Sequence, residues 1–268
     1  MRDTATPTTP TATAGQGRSG RSGRSGRGAA AGRRRRFLPP QHGAWAMLTV
    51  PYLAGLLAAG YRWPDLPLLG AWLAGYLLSY YVFQAVKSRR PSRYRAQLWL
   101  YGGIAAPLAA LVVAARPAVL WYAPAYAALF GLNAWYAARR RERSTFNDLA
   151  SVAQSCLIAL VVATVAGRAP AAVFEAFLLC LAYFAGTVCY VKTMIRERGN
   201  AAYRRWSIGY HALALVVAAW LSPWAGALFA VLLLRAALLP GRGWTPKRVG
   251  LMEIANCVLL LACVALAL

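Results

Sequence analysis

The chain has 268 residues, of which 59% are hydrophobic and only 14% are charged, and its formal net charge is +23. This composition excludes a water-soluble globular protein with a polar surface and predicts an integral membrane protein. The positive charge falls in short blocks between apolar runs rather than along one solvent-facing surface, which argues against a nucleic-acid-binding protein.

The N-terminal segment differs in composition from the rest of the chain. Residues 1–36 consist mainly of Thr, Ala, Gly, Ser and Arg and offer no apolar cluster that could pack. This is typical of a disordered basic tail. Because its charge directly precedes the first apolar run, we expect the tail to stay in the cytoplasm and the first helix to be an uncleaved membrane span. Residues 37–268 then form a transmembrane domain.

Nine apolar runs approach the ~20 residues that a helix needs to cross the hydrocarbon core of a membrane. They are residues 43–60, 66–86, 97–115, 117–138, 148–167, 170–192, 205–221, 223–239 and 249–268. The sequence therefore predicts an all-α, polytopic membrane protein. The two runs that meet at Ser222 and Pro223 fit either two short helices or one broken helix.

The loops between these runs alternate between basic and nearly uncharged. The basic loops are residues 87–96, 139–147, 193–204 and 240–248. Because short cytoplasmic loops retain positive charge during insertion, we expect the N-terminus inside the cell and the C-terminus outside. The basic loops would then contact the anionic head groups of the inner leaflet.

A weak repeat indicates how the spans are grouped. Tyr94, Arg95 and Tyr101 recur with the same spacing as Tyr203, Arg204 and Tyr210. This spacing favours two parallel four-helix repeats followed by a ninth helix. Chance recurrence of common residues is the alternative.

Polar residues at the ends of the spans are candidates for ligand binding. Gln41 and His42 open the first helix, where they could present an imidazole and a positive helix end to an anion, or simply cap the helix. Gln84 and Lys87 end the second span three residues apart and therefore share a helix face. The alternative for Lys87 is that its charge only sets the orientation of the chain.

The fifth, sixth and last spans carry the remaining candidates. Lys192 and Arg196 end the sixth span, four residues apart, and could together bind a phosphate. Asn147 and Asp148 open the fifth span, where Asp148 could instead cap the helix or pair with Arg143. Glu253 lies within the last span, where an acid is a functional candidate by default, although a salt bridge to a basic helix end would satisfy it equally.

Metal and disulfide chemistry are not expected. The five cysteines lie in apolar runs without Cys-x-x-Cys spacing, and they are interpreted as small packing residues. Two isolated histidines are too few for a zinc centre. We therefore predict neither a metal site nor a cofactor.

The segment from Pro40 to Met47, followed by Val50 to Gly55, resembles the signature of the YwiC-like family of bacterial integral membrane proteins. The basic loop after the second span and the pair Asn147 and Asp148 are similar to that family as well. The resemblance covers roughly residues 37–268. It implies a bacterial cell-membrane protein and no defined activity.

A more distant resemblance is to the UbiA superfamily of prenyltransferases, which also has nine spans and polar motifs at the ends of spans two and six. In that superfamily the two motifs are rich in aspartate and hold magnesium and a prenyl diphosphate. This sequence has Gln84 and Lys87 in the first motif, and Lys192 with Glu197 in the second. A UbiA-like bundle is thus implied without its magnesium site.

These observations predict a cytoplasm-facing polar cavity that binds an anionic lipid-type or diphosphate ligand. Lys87, Lys192 and Arg196 would neutralise the ligand directly, in place of a metal ion. One alternative is a metal-independent, UbiA-like prenyl or lipid transferase with Asp148 or Glu253 as a base. Another is a transporter or an accessory subunit of a membrane complex.

Overall fold

The computed structural model describes Phe37 and residues 42–267, the side chain of His42 excepted. The predicted tail at residues 1–36 and the candidate Gln41 lie outside the described residues. Between His42 and Ala267 the chain forms α-helices and short 3₁₀ turns and contains no β-strand. The prediction of an all-α fold is confirmed.

Ten α-helices follow one another along residues 42–267. They are α1 (His42–Ala59), α2 (Asp65–Ser88), α3 (Arg95–Ala115), α4 (Ala123–Ala138), α5 (Thr145–Cys156), α6 (Ile158–Val165), α7 (Phe174–Ile195), α8 (Ala201–Leu221), α9 (Pro223–Leu238) and α10 (Pro246–Ala267). Only Leu157 separates α5 from α6, and the two helices form one apolar stretch from Thr145 to Val165.

Several helices extend beyond the predicted apolar runs on the side of the basic loops. The helix α7 ends at Ile195 instead of 192, and α8 begins at Ala201 instead of 205. Hydropathy marks only the part of a helix inside the hydrocarbon core, whereas backbone hydrogen bonding continues into the polar boundary. At Asn200 the side chain accepts a hydrogen bond from the Tyr203 backbone N–H at 3.1 Å and so caps α8.

The helices have the length and surface of a polytopic membrane protein. Within residues 42–267, five helical segments are long and apolar enough to cross a membrane, and α9 and residues 43–59 of α1 are shorter apolar helices. Exposed tryptophans lie near the helix ends at both sides, as in the aromatic belts at membrane interfaces. They are Trp63, Trp121, Trp220 and Trp224 on one side and Trp99, Trp135 and Trp206 on the other. The predicted orientation of the termini stays a prediction.

The helix α7 lies at the centre of the main hydrophobic core. Its side chains Leu179, Tyr183 and Phe184 are almost fully buried, and they pack with Phe229 of α9 and Leu260 of α10. The helices α1, α5 and α8 contribute to the same core. By contrast, α2 packs mainly against α3 and α4, away from this core. The separation between α2 and the core leaves space for a cavity.

The chain turns sharply between α8 and α9, which are two separate helices. The backbone at Ser222 is extended, with φ −158° and ψ 140°, and Pro223 occupies the first position of α9. A Cβ at Gly226 would lie 3.0 Å from the Cα of Ala219, so the absence of a side chain lets the two helices approach closely. The alternative of one broken helix is therefore wrong.

Candidate functional site

A cavity of about 570 Å³ lies between α2 and α5, both of which pack against α4. One wall is aromatic and comes largely from α2. Its aromatic residues are Trp72, Tyr76, Tyr80 and Phe83 of α2 and Phe130 of α4. The indole N–H of Trp72 donates to the carbonyl of Leu48 at 3.0 Å, which joins this wall to α1. The aromatic wall suits an apolar or flat ligand surface.

The opposite wall is a polar stripe along α5. It is formed by Asn147, Asp148, Ser151, Gln154 and Ser155, all of which line the cavity. Their spacing of three and four residues places them on one helix face. Polar groups inside a membrane bundle are energetically costly unless they are hydrogen-bonded. This face of α5 therefore indicates that the cavity holds polar groups that can form hydrogen bonds with it.

A hydrogen-bonded chain holds this stripe to α4. The hydroxyl of Ser151 donates to Asn133 Oδ1 at 2.8 Å, and Asn133 Nδ2 donates to Gln154 Oε1 at 3.1 Å and to the carbonyl of Leu129 at 2.9 Å. Asn133 is buried, and all of its polar atoms are used in this network. The network fixes the direction in which the Gln154 amide points.

Sequence reasoning missed Asn133, Ser151, Gln154 and Ser155. They lie inside apolar runs, and each is only mildly polar. The signal that could have found them is the helical spacing of Ser151, Gln154 and Ser155 after Asn147, which marks one face of α5. A polar stripe of this kind in an apolar helix points towards the bundle interior.

An ion pair between Lys87 and Glu142 lies at the end of the cavity near the basic loops. Both side chains are partly exposed, at 39% and 33%. Burial of the Glu142 carboxyl disfavours its charged form, but the hydrogen bond and the charge of Lys87 outweigh this effect, so the pKa of Glu142 is lowered from its ordinary value. Gln84, one turn before Lys87, also lines the cavity. The structure thus brings these two predicted residues to one site.

Asn147 and Asp148 also line this end of the cavity, as expected for a shared site. Asn147 Nδ2 donates to the backbone carbonyl of Glu142 at 2.9 Å and holds the loop that carries the ion pair. Asp148 pairs with Lys192 at 2.8 Å rather than capping α5 or pairing with Arg143. The partner is Lys192 because the end of α7 packs beside the start of α5.

Lys192 and Arg196 do not meet at the cavity. The Lys192 ammonium is buried, and besides Asp148 it donates to the Arg143 carbonyl at 3.1 Å and to Thr145 Oγ1 at 2.9 Å. Arg196 is exposed beyond the end of α7. Neither residue lines the cavity. Lys192 therefore anchors the start of α5.

Glu253 belongs to a separate buried cluster among α7, α9 and α10. It forms an ion pair with Arg235, and Tyr183 and Thr187 donate to its Oε2 at 3.1 and 3.0 Å. The Arg235 guanidinium lies 4.3 Å from the centre of the Tyr190 ring. Arg235 is in the last turn of α9, so the alternative of a salt bridge to a basic helix end is confirmed. Glu253 does not line the cavity.

The predicted site at the start of the first helix is only partly described. His42 begins α1, and its side chain lies outside the described residues, as does Gln41. Ala44 and Met47 line the cavity, so the first turns of α1 adjoin it. Among the residues that the structure describes, no group of three His, Cys, Asp or Glu side chains could hold a metal ion.

Several polar atoms of the cavity lining have no hydrogen-bond partner within residues 42–267. Tyr76 Oη, Asn147 Oδ1 and Glu142 Oε2 are buried in this state. Buried polar groups in native proteins are almost always hydrogen-bonded to protein, water or ligand. The cavity is therefore suited to an occupant that can form hydrogen bonds with these three groups.

Comparison with known proteins gives a consistent result. A family model described as YwiC-like protein matches residues 38–163. The protein YwiC of Bacillus subtilis is 34% identical over 240 residues, which cover 87% of this chain and 98% of the relative. A protein of Haemophilus influenzae is 30% identical over 227 residues, which cover 80% of this chain and 91% of the relative. No solved structure matches the chain at a significant level, so the UbiA likeness stays a prediction.

Proposed function

This chain belongs to the YwiC-like family of membrane proteins, and we propose that it binds a membrane amphiphile with an anionic head group in the cavity between α2 and α5. The head group would lie beside Lys87, and the apolar part against the aromatic wall. The basic loops support a cavity that opens to the cytoplasmic side of the bacterial cell membrane.

This proposal rests on the difference between the two cavity walls, one of which is aromatic and the other polar. Aromatic side chains of α2 face the polar stripe of α5 across a space of about 570 Å³. Cavities of roughly 300–1,000 Å³ with a few convergent polar groups are typical of small-molecule sites. An amphiphile satisfies both walls, whereas water alone would leave the aromatic wall poorly covered.

Lys87 lines the cavity, and its positively charged ammonium group can bind an anion there. Lys192 already has three partners, but the Lys87–Glu142 pair is partly exposed, and exposed pairs contribute only about 0–1 kcal/mol. A phosphate or carboxylate can therefore replace Glu142 at little cost. The displaced Glu142 lies between Arg141 and Arg143 in sequence, which can neutralise it.

Binding is the step that a UbiA-like transferase and a transporter would share. Asp148, considered as a base from the sequence, is engaged by Lys192, and Glu253 lies outside the cavity. These positions favour binding over transfer chemistry. Turnover of a prenyl diphosphate by the purified protein would support the transferase instead.

The proposal is tested by binding of dodecyl phosphate to the protein in nanodiscs of neutral phosphatidylcholine. Loss of a charge-assisted hydrogen bond costs about 1.5–3 kcal/mol, so Lys87→Met should weaken binding by roughly tenfold or more. Lys247→Met is the matched control because Lys247 is an exposed lysine in the first turn of α10, outside the cavity lining. Equal weakening by both variants would indicate unspecific attraction to a basic surface and contradict the proposal.

A further inference from the structure

The hydroxyl of Tyr76 is a buried polar group deep in the cavity. It has no hydrogen-bond partner among the described residues, although the ring lines the cavity. The ring is held in place by an edge-on contact with Trp45, at 6.1 Å between centroids. A buried hydroxyl without a hydrogen-bond partner is energetically unfavourable. We therefore expect a molecule in the cavity to form a hydrogen bond with the Tyr76 hydroxyl.

Gln154 presents a second unused polar group from the opposite wall. Its Oε1 accepts from Asn133 Nδ2 at 3.1 Å, and this bond turns the amide nitrogen away from Asn133. The nitrogen donates to no side chain or backbone group within residues 42–267. Gln154 therefore offers N–H donors to the cavity, and Tyr76 offers a hydroxyl that can donate or accept.

The Tyr76 hydroxyl and the Gln154 amide lie further from the basic loops, along α2 and α5, than the Lys87–Glu142 ion pair. Tyr76 precedes Lys87 by 11 residues on α2, which is about 16 Å at 1.5 Å per residue. Gln154 follows Asn147 by 7 residues on α5, which is about 10 Å. A polar group at that depth in a membrane is costly unless it is hydrogen-bonded.

We propose that Tyr76 and Gln154 form a second, deeper subsite that binds a hydroxyl or carbonyl oxygen of the ligand. This inference rests on the proposed function of the cavity. It narrows the ligand to an amphiphile that carries a second oxygen-bearing group about 10–16 Å from its anionic head. A plain acyl or alkyl chain would leave Tyr76 and Gln154 without partners.

The subsite is tested with two matched probes, dodecyl phosphate and its analogue with a terminal hydroxyl group, in the same nanodiscs. The extended dodecyl chain brings the terminal hydroxyl to the depth of Tyr76 and Gln154. One added hydrogen bond should make the hydroxylated probe bind about threefold to tenfold tighter. Without the subsite the hydroxylated probe would bind more weakly, because its hydroxyl would lose water without replacement.

Two variants separate the subsite from a general effect. In Gln154→Leu and in Tyr76→Phe the ratio of the affinities for the two probes should fall towards one, whatever the affinity for dodecyl phosphate alone. Tyr136→Phe, which removes a hydroxyl on α4 outside the cavity lining, should keep the preference. Melting temperatures of the variants report whether they are folded.

The outcomes distinguish this inference from the proposed function. If wild-type protein binds both probes equally, with Lys87-dependent affinity, the subsite is overturned and the proposed function stands. A preference that persists unchanged in both Gln154→Leu and Tyr76→Phe overturns the subsite as well. If neither probe binds, both the subsite and the proposed function are overturned.

Discussion

At the scale of single residues, three basic side chains near the candidate sites each form an ion pair with an acid on another helix or loop. Lys87 meets Glu142, Lys192 meets Asp148, and Arg235 meets Glu253. The first pair is partly exposed, whereas in the last pair Arg235 is buried and Glu253 is only slightly exposed. The difference in burial separates a pair that can exchange its partner from one that holds helices together.

The largely buried Arg235–Glu253 pair should be important for stability. Removing one partner leaves an uncompensated buried charge, so Arg235→Met or Glu253→Gln should lower the free energy of unfolding by about 3–5 kcal/mol. The double variant should lose less than the sum of the two single losses, because neither charge is left alone. Denaturant unfolding in detergent micelles measures all three values. Additive losses would contradict the pairing.

The partly exposed Lys87–Glu142 pair should respond to acid. The pKa of Glu142 is lowered below its ordinary value of 4.5 in the folded chain. The stabilisation that its ionised carboxylate gives the folded state is therefore complete above pH 4.5 and is lost as the pH falls through the lowered pKa. The stability advantage of wild type over Glu142→Gln, at most about 1 kcal/mol, should follow this course. Unfolding curves measured across this pH range give the advantage. An advantage that grows on acidification would contradict the pairing.

At the scale of elements, close helix contacts depend on residues without side chains. A Cβ at Gly55 of α1 would lie 2.9 Å from the Cα of Ala159, a backbone atom of α6 that cannot move aside alone. Gly55→Ala should therefore destabilise the protein by about 1–3 kcal/mol through overpacking. Gly103→Ala is the control, because a Cβ there meets nothing within 4 Å and alanine favours the helix. In thermal unfolding, the melting temperature should fall for Gly55→Ala and rise for Gly103→Ala.

The helices were predictable from the sequence, but much of the candidate site was not. Apolar length determines where a membrane helix lies, so each apolar run overlaps one or two helices, although α4 begins at Ala123 and not at 117. Four residues at the basic end of the cavity were predicted as ligand-binding candidates, because charged and strongly polar side chains stand out in apolar surroundings. They are Gln84, Lys87, Asn147 and Asp148. The stripe continuing to Gln154 was missed because mildly polar residues barely change the hydropathy of a run.

Ion-pair partners were the least predictable feature. Which base meets Asp148 depends on how the end of α7 packs beside α5, and this is a tertiary property that spacing along the chain does not contain. Arg143, which the sequence offered as one alternative partner, is close to Asp148 in sequence, whereas Lys192 is close to it in space. The repeat between the two halves also stays a prediction. It makes α3 equivalent to α8, and α2 to α7. However, α3 packs most extensively with α2, whereas α8 packs most extensively with α9.

At the scale of the whole molecule, the basic loops predict the direction of insertion. Lys87, Glu142 and the starts of α1 and α5 lie at the basic end of the bundle, so the cavity should open to the cytoplasm. A periplasmically active phosphatase fused after Leu268 should be active, and a fluorescent protein that folds only in the cytoplasm should be dark there. The reverse pattern would place the C-terminus inside and contradict this topology.

An amphiphile held in the cavity between α2 and α5 should stay bound when the protein is released from membranes, and native mass spectrometry would detect it. Gly75 lines the cavity, and a Cβ there meets nothing within 4 Å, so Gly75→Phe should fill the cavity without disturbing the helices. Gly103→Phe, also in open space but outside the cavity, is the matched control. We predict a retained amphiphile in wild type and Gly103→Phe and its loss in Gly75→Phe. Equal retention in all three proteins, or none in wild type, would contradict binding of an amphiphile in this cavity.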